Sequence, residues 1–400
     1  MEAVTKLPFC VPSIGEEEIE AAADAMRSGW LSAGPKVKEF EAAFAKYVDA
    51  PEAVATGSGT VALAVALGSL DLHAGHDVYV PAITFPATAN VVRWFGARPV
   101  LVDVDEHLGM DPSSLQEAIL ETLRQQRQPA AVMPVHMGGR VCRMPEIEEI
   151  AELHHLWVVE DAAHALPARR QDGRLVGAWT ANERHWRRMT AFSFYATKNL
   201  TTGEGGMLTG PPQQLARARP WVLHGMSRDA FDRHRGGSWF FDVVAPGFKG
   251  NMTDPAAAIG LVQLRRLAEL QWSRGIMAQC YTGQLRRELP TVVSIAEWDV
   301  RESADAWHLY QVLLPADLPI SRDEVIDRVG KLGVSLNVHF TPLHLLTEYA
   351  SPTFRQHRQL PAAEALYRRL VSLPLHPGMV PSDVDRVVGT LRTVLEAARV

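Results

Sequence analysis

Two short blocks hold the residues best suited to chemistry. In Glu160-Asp161-Ala162-Ala163-His164 two acids close an apolar run, and Ser193-Phe194-Tyr195-Ala196-Thr197-Lys198-Asn199 follows further along. Lys198 is the only lysine between Lys46 and Lys249, which narrows the search for a catalytic amine. A partly desolvated amine has a lowered pKa and turns nucleophilic, so Lys198 suits imine formation with an aldehyde and later proton transfer. The plainer alternative is an exposed loop lysine after an edge strand. A carboxylate at a buried strand end is costly unless a cation neutralises it, and a pyridinium nitrogen is one such cation.

Together the blocks describe a pocket for pyridoxal 5′-phosphate (PLP), with Lys198 as the Schiff-base lysine and Asp161 keeping the ring nitrogen protonated. An anion seat fits the same picture. Thr56-Gly57-Ser58-Gly59-Thr60 precedes a helical pattern, so backbone N–H groups and the hydroxyls of Ser58 and Thr60 can face a phosphate, with Ser193 adding another. Thr201-Thr202-Gly203-Glu204-Gly205-Gly206 supplies a glycine-rich turn beside Lys198. Phe85 stands where an aromatic ring can stack on a flat heterocycle, or it is one more core phenylalanine. Gly57, Gly59 and Ala62 also match the degenerate GxGxxA pattern of dinucleotide sites, which keeps an NAD(P)-dependent oxidoreductase open as an alternative. That reading needs an acid ending the next strand, whereas Asp77 would begin it. His136, His164, His339 and His344 lack any HExxH or accompanying carboxylate cluster, so they read as polar pocket or core histidines and no metal is expected.

These residues need elements to position them. With 47% hydrophobic and 22% charged residues, the 400-residue chain can bury a sizeable core. A net charge of -6, with acids and bases spread along its length, gives no footprint for nucleic acid or membrane surface. The start lacks a basic segment before an apolar one, so the chain reads as cytoplasmic. Cys10, Cys142 and Cys280 are scattered, which indicates neither a disulfide framework nor a thiolate metal site. Apolar runs at 77–81, 99–104, 130–135, 157–160, 190–194 and 206–208 predict strands. Helical spacing at 60–70, 115–127 and 144–154 alternates with them. The pattern is α/β with a mainly parallel central sheet, whose strand ends would gather residues 81–85, His136, Asp161 and the segment after Phe194. From 254 onward a long helix over 256–274, an alternating run at 307–314 and helices near 322–332 and 383–398 predict a smaller α+β domain, so the chain divides into 1–253 and 254–400. Residues 183–188 read as a charged surface insertion.

In order along the chain, these segments resemble the DegT/DnrJ/EryC1/StrS family of PLP-dependent sugar aminotransferases. The likeness rests on Ser28-Gly29-Trp30-Leu31-Ser32-Ala33-Gly34-Pro35, Ser58-Gly59-Thr60, Phe85, the two central blocks and Asn251-Met252-Thr253-Asp254. His339-Phe340-Thr341-Pro342-Leu343-His344 and Leu373-Pro374-Leu375-His376-Pro377-Gly378 complete it. The resemblance implies fold type I, the aspartate-aminotransferase-like architecture, and a homodimer with composite sites. In such a dimer Lys249 and Asn251 of one subunit approach the phosphate or substrate held mainly by the other. His339 is offered as a further substrate contact. Relatives with histidine at the lysine position are dehydratases, so Lys198 favours transamination. The Lys249/Asn251 pair resembles members that aminate C4 of nucleotide-linked keto-sugars. His164 stands where many members have glutamine and would support the cofactor's ring oxygen or orient the sugar; Gly250 replaces a frequent tyrosine.

The expected reaction passes nitrogen from an amino donor, L-glutamate, to a dTDP- or UDP-linked keto-sugar in amino-sugar or antibiotic biosynthesis. A sugar dehydratase or C3-aminotransferase on the same scaffold and a PLP-binding regulator without turnover stay open beside the oxidoreductase.

Overall fold

A computed structural model describes residues 6–180, 187–227, 239–295, 304–351 and 359–399. Its larger sheet has seven strands in the order β1-β7-β6-β5-β4-β2-β3. They are β1 (Ala53–Thr56), β2 (His76–Pro81), β3 (Arg98–Val102), β4 (Gln128–Val132), β5 (Trp157–Asp161), β6 (Arg188–Ser193) and β7 (Gly206–Thr209). Strands β2 to β6 run parallel, while β7 is antiparallel to both β6 and β1. Because helices cover both faces, β1, β2 and β7 are buried along their whole length.

All the strands expected from apolar runs are present with shifted ends, and β1 is an addition. Its Ala-Val-Ala-Thr is too short and too alanine-rich to stand out from loop. The expected insertion at 183–188 needs correction at its end: residues 181–186 lie outside the described residues, but Arg188 opens β6 and is buried.

Register brings the functional segments together. Thr56 of β1 and Ser193 of β6 both pair with Gly206 of β7. Asp161 ends β5 opposite Ala191 of β6. The helix Gly59–Gly68 follows β1 directly, and its residues from Ala62 to Gly68 are all buried against β6, β7 and the helix Ala87–Trp94. Apolar on every side, it has no amphipathic stripe and sits inside the layer.

A second, three-stranded antiparallel sheet runs β10-β9-β8, from β8 (Val293–Ser294), β9 (Tyr310–Leu313) and β10 (Leu370–Leu373). The helix expected over 256–274 is longer and spans Asp254–Glu288. Ala257 and Leu267 in its first half pack with Phe40 and Phe194, whereas Met277, Tyr281 and Leu285 pack with Tyr310 and Leu391. Asp254 at its start is buried and accepts N–H groups from Gly34 at 2.8 Å and from Lys36 and Val37 at 3.1 Å, so it caps the helix Pro35–Val48. Near the N-terminus, Leu7 bridges to Val334, its N–H donating to Gly333 O at 2.8 Å. That bridge leads the following Phe9 and Cys10 to a cavity that Asp161 and Lys198 also line. No helix among the described residues is long and apolar enough to cross a membrane.

Candidate active site

At the carboxyl ends of β5 and β6 lies a cavity of about 450 Å³, lined among others by Ser58, Gly59, Thr60, Phe85, Asp161, His164, Ser193, Lys198 and His339. This is within the usual range for small-molecule sites. Each lining group is held by its own element.

Asp161 is fixed at both ends of its backbone: its N–H donates to Pro134 O at 2.9 Å, and its carbonyl accepts from His136 N–H at 3.1 Å. The carboxylate accepts from the Thr88 hydroxyl at 2.8 Å and from Ala163 N–H at 3.2 Å. Burial raises its pKa, while the Thr88 and Ala163 hydrogen bonds and the Lys198 charge pull the other way.

Glu160, its neighbour, faces the opposite side of the strand, as alternation requires. It is fully buried and meets His136 Nε2 at 2.8 Å, Arg188 Nε at 3.0 Å, Thr190 Oγ1 at 3.1 Å and Arg170 Nη1 at 3.3 Å. Burial alone would raise its pKa, but Arg170, His136 and Arg188 hold it at about 2. Glu148 completes the network with Arg170 and Arg188. The two acids that looked like one pocket motif thus divide, Asp161 to the cavity and Glu160 to a structural ion cluster.

Lys198 sits in the loop after β6. Its N–H donates to Tyr195 O at 2.9 Å, and Thr202 N–H returns to Phe194 O at 3.0 Å. The amide of Asn199 donates to Leu166 O at 3.0 Å and Ala306 O at 2.6 Å. Burial lowers the Lys198 pKa to about 8 against the opposing pull of Asp161. Roughly one molecule in ten then carries a neutral amine at pH 7.

Ser58 is the N-cap of the helix Gly59–Gly68, accepting Val61 N–H at 3.2 Å, so Gly59 and Thr60 present the positive end of the helix to the cavity. A side chain at Gly59 would bring Cβ to 2.7 Å from Ser193 Cβ; at Gly206 it would lie 2.6 Å from the Ser58 carbonyl carbon. Only glycine lets these three segments close into a cradle. Phe85 keeps 56% of its surface exposed and lies 5.7 Å from the Phe340 ring at 60°. A large aromatic left open beside a cavity is suited to cover a planar ligand.

Three histidines line the cavity, and each is held neutral. Gly138 N–H donates to His164 Nδ1 at 3.2 Å, which places the ring proton on Nε2. Burial, with the Lys198 and His339 charges, drives its pKa well below the ordinary value. His308 lies 4.3 Å from it, ring to ring, with Nδ1 3.2 Å from Asn199 Oδ1. His339 stacks on Phe9 at 5.3 Å, and burial next to Lys198 pushes its pKa down to about 4.

The model of the DegT/DnrJ/EryC1/StrS aminotransferase family matches residues 12–392. The chain belongs to that family. SpsC of Bacillus subtilis (strain 168), a spore coat polysaccharide biosynthesis protein, is 39% identical over 397 residues, 98% of each chain. Spr1654 of Streptococcus pneumoniae in its PLP form superposes with a TM-score of 0.87 at 31% identity, covering 98% of this chain and 99% of that one. It is also solved in a PMP form. S. venezuelae DesV, in complex with a ketimine intermediate, gives a TM-score of 0.84 at 30% identity over 98% of this chain and 99% of that one. The fold is therefore that of the PLP-dependent sugar aminotransferases, fold type I.

Against this family background, the structure brings together Ser58, Gly59, Thr60, Phe85, Asp161, His164, Ser193, Lys198 and His339 in one cavity. Lys249 and Asn251 do not line it. The Lys249 amine donates to Asn251 Oδ1, and Asn251 Nδ2 lies 3.4 Å from Ser32 Oγ. The dinucleotide alternative loses its context, because β1 is an edge strand antiparallel to β7, and Asp77 is tied to Arg98 and Arg127 at the start of β2. Sequence reasoning places residues 81–85 near the site without giving Thr84 a role, and it misses Phe9, Thr88, His308 and Phe340. Thr84 and Thr88 flank the singled-out Phe85 and carried a usable signal; Phe9 reaches the cavity through the Leu7–Val334 bridge, which no local pattern announces.

Proposed function

We propose that this chain is a PLP-dependent aminotransferase acting on a nucleotide-linked keto-sugar, with L-glutamate as amino donor and C4 as the aminated carbon. The observation that carries the reading is one cavity holding an amine of lowered pKa, a buried carboxylate and a helix N-terminus. These are the three groups PLP requires, and glycines at 59 and 206 let the segments carrying Ser58 and Ser193 close together at the helix N-terminus. When bound, PLP supplies an aldehyde for nitrogen exchange and a ring that draws electrons from the reacting carbon.

The chain's own residues then have distinct tasks. Ser58, Gly59, Thr60 and Ser193 hold the phosphate at the positive end of the helix. Phe85 fixes the ring plane, and Asp161 keeps the ring nitrogen protonated. Lys198 anchors the cofactor and, with a pKa near neutrality, takes and returns the proton of the substrate's nitrogen-bearing carbon. His164, a donor at Nε2, supports the cofactor's ring oxygen or a sugar hydroxyl, and His339 contacts substrate. Lys249 and Asn251 complete the site of a second subunit in a homodimer, which accounts for their lying outside the cavity of their own chain. A sugar substrate is supported by SpsC, named for polysaccharide biosynthesis.

The test is the absorption spectrum of purified protein supplied with PLP, with and without L-glutamate, beside Lys198→Ala. A visible band that changes with glutamate and is absent from the variant is expected. Wild type with no band would overturn the reading. Incubation with nucleotide-linked 4-keto- and 3-keto-sugars then tests the carbon assigned.

A further inference from the structure

Behind Asp161 stands a pair of hydroxyls that no step above uses. Thr88 Oγ1 lies 2.8 Å from Asp161 Oδ2, 2.8 Å from Thr84 Oγ1 and 3.2 Å from Phe85 O. Both threonines are completely buried. A hydroxyl has one hydrogen to give and lone pairs to receive with, whereas an ionised carboxylate only accepts. The Thr88 hydrogen therefore goes to Asp161, and Thr84 must donate to Thr88. A proton on Asp161 Oδ2 would force this chain to reverse, turning the Thr88 hydrogen toward Phe85 O or Thr84. Among the described residues, the remaining donor to the carboxylate is the Ala163 amide at 3.2 Å. A carboxylate has about four acceptor sites, so two stay open toward the cavity.

We propose that Thr88, backed by Thr84, is a positioning residue for the reaction: the ordered hydroxyl chain holds the Asp161 carboxylate in its acceptor-only form and fixed orientation, ready to grip a protonated ring nitrogen. This rests on the PLP reading. The position is specific to a hydroxyl, since valine fills nearly the same space without a donor.

Thr88→Val, Thr88→Ser and Thr84→Val are compared with wild type after removal and re-addition of PLP. The readouts are the PLP dissociation constant, the pH at which bound PLP changes its absorption, and the thermal midpoint of the cofactor-free protein. A hydrogen bond to a charged group of this kind sets the scale, so Thr88→Val is expected to bind PLP about tenfold or more weakly. Its absorption change should move to higher pH, because a carboxylate that has lost a donor is more basic and holds the proton it shares with the ring nitrogen longer. Thr88→Ser should stay close to wild type and Thr84→Val should fall between. A folded Thr88→Val with wild-type affinity and an unmoved pH transition would overturn the proposal. So would Thr88→Ser failing as badly as Thr88→Val in step with lost thermal stability, which marks a packing role. Wild type that binds no PLP would overturn the functional reading first, an outcome separate from either.

Discussion

The lowered Lys198 pKa predicts a cost to the cofactor-free fold. In the unfolded chain this amine has its ordinary pKa near 10.5, and in the folded chain about 8. At about 1.4 kcal/mol per tenfold change, the difference destabilises the folded state by roughly 3 kcal/mol wherever the amine is charged in both states. The sign follows from proton counting: between pH 8 and 10.5 the unfolded chain binds more protons, so stability rises with pH across that window and the full cost stands below pH 8. Lys198→Met removes the charge and keeps most of the volume. Cofactor-free Lys198→Met should therefore be more stable than cofactor-free wild type by up to roughly 3 kcal/mol at pH 7, a shift of a few degrees in thermal midpoint. At pH 9.5 the gain should shrink to about 1 kcal/mol, because the wild-type amine is by then mostly neutral. The assay is thermal and urea denaturation of both proteins, stripped of PLP, at the two pH values. A variant less stable than wild type at pH 7, or a gain that does not change with pH, would refute a desolvated Lys198.

Two further perturbations separate structure from chemistry. Glu160→Gln leaves Arg170 and Arg188 buried with less compensation, so thermal denaturation should show a loss of about 3 kcal/mol or more, while any protein that folds keeps its PLP band because Asp161 is untouched. If sites are shared across a two-fold dimer, Lys198→Ala and Lys249→Ala should each be nearly inactive in sugar amination, yet mixing them under exchange conditions should restore roughly a quarter of wild-type activity. No recovery after verified subunit exchange would place Lys249 outside the neighbouring site.

How much of this was legible depended on whether a residue's role is set by its neighbours in sequence or in space. The strands β2 to β7 announced themselves because strands covered on both faces carry short, mostly apolar runs, and Lys198 stood out because lysine is scarce. The long helix Asp254–Glu288 was underestimated because it changes its buried face midway, first against Phe40 and then against Tyr310, so no single amphipathic stripe runs its length. Sequence assigns Asp161 to the cofactor and leaves Glu160 beside it without a role of its own. Their division follows from the pleat, and the partners that decide it, Arg170 and Arg188 for one and Thr88 for the other, come from different segments.

The same geometry explains why the cavity holds its charges so far from their ordinary states. Asn199, adjacent to Lys198, ties the lysine loop to Leu166 beyond β5 and to Ala306 just before β9, and its oxygen meets His308. A loop anchored on both sides keeps Lys198 at the cavity, where desolvation acts on the lysine and the histidines together. The groups are coupled: the charge on Lys198 disfavours protonated His164 and His339, while Asp161 and then Cys10 favour the lysine's proton. A cofactor carrying a ring cation and a phosphate anion would relieve this imbalance at both ends, one at Asp161 and one at the helix N-terminus. That relief favours the loaded protein over the empty one, and it is why the empty protein is where the cost at Lys198 should be measured.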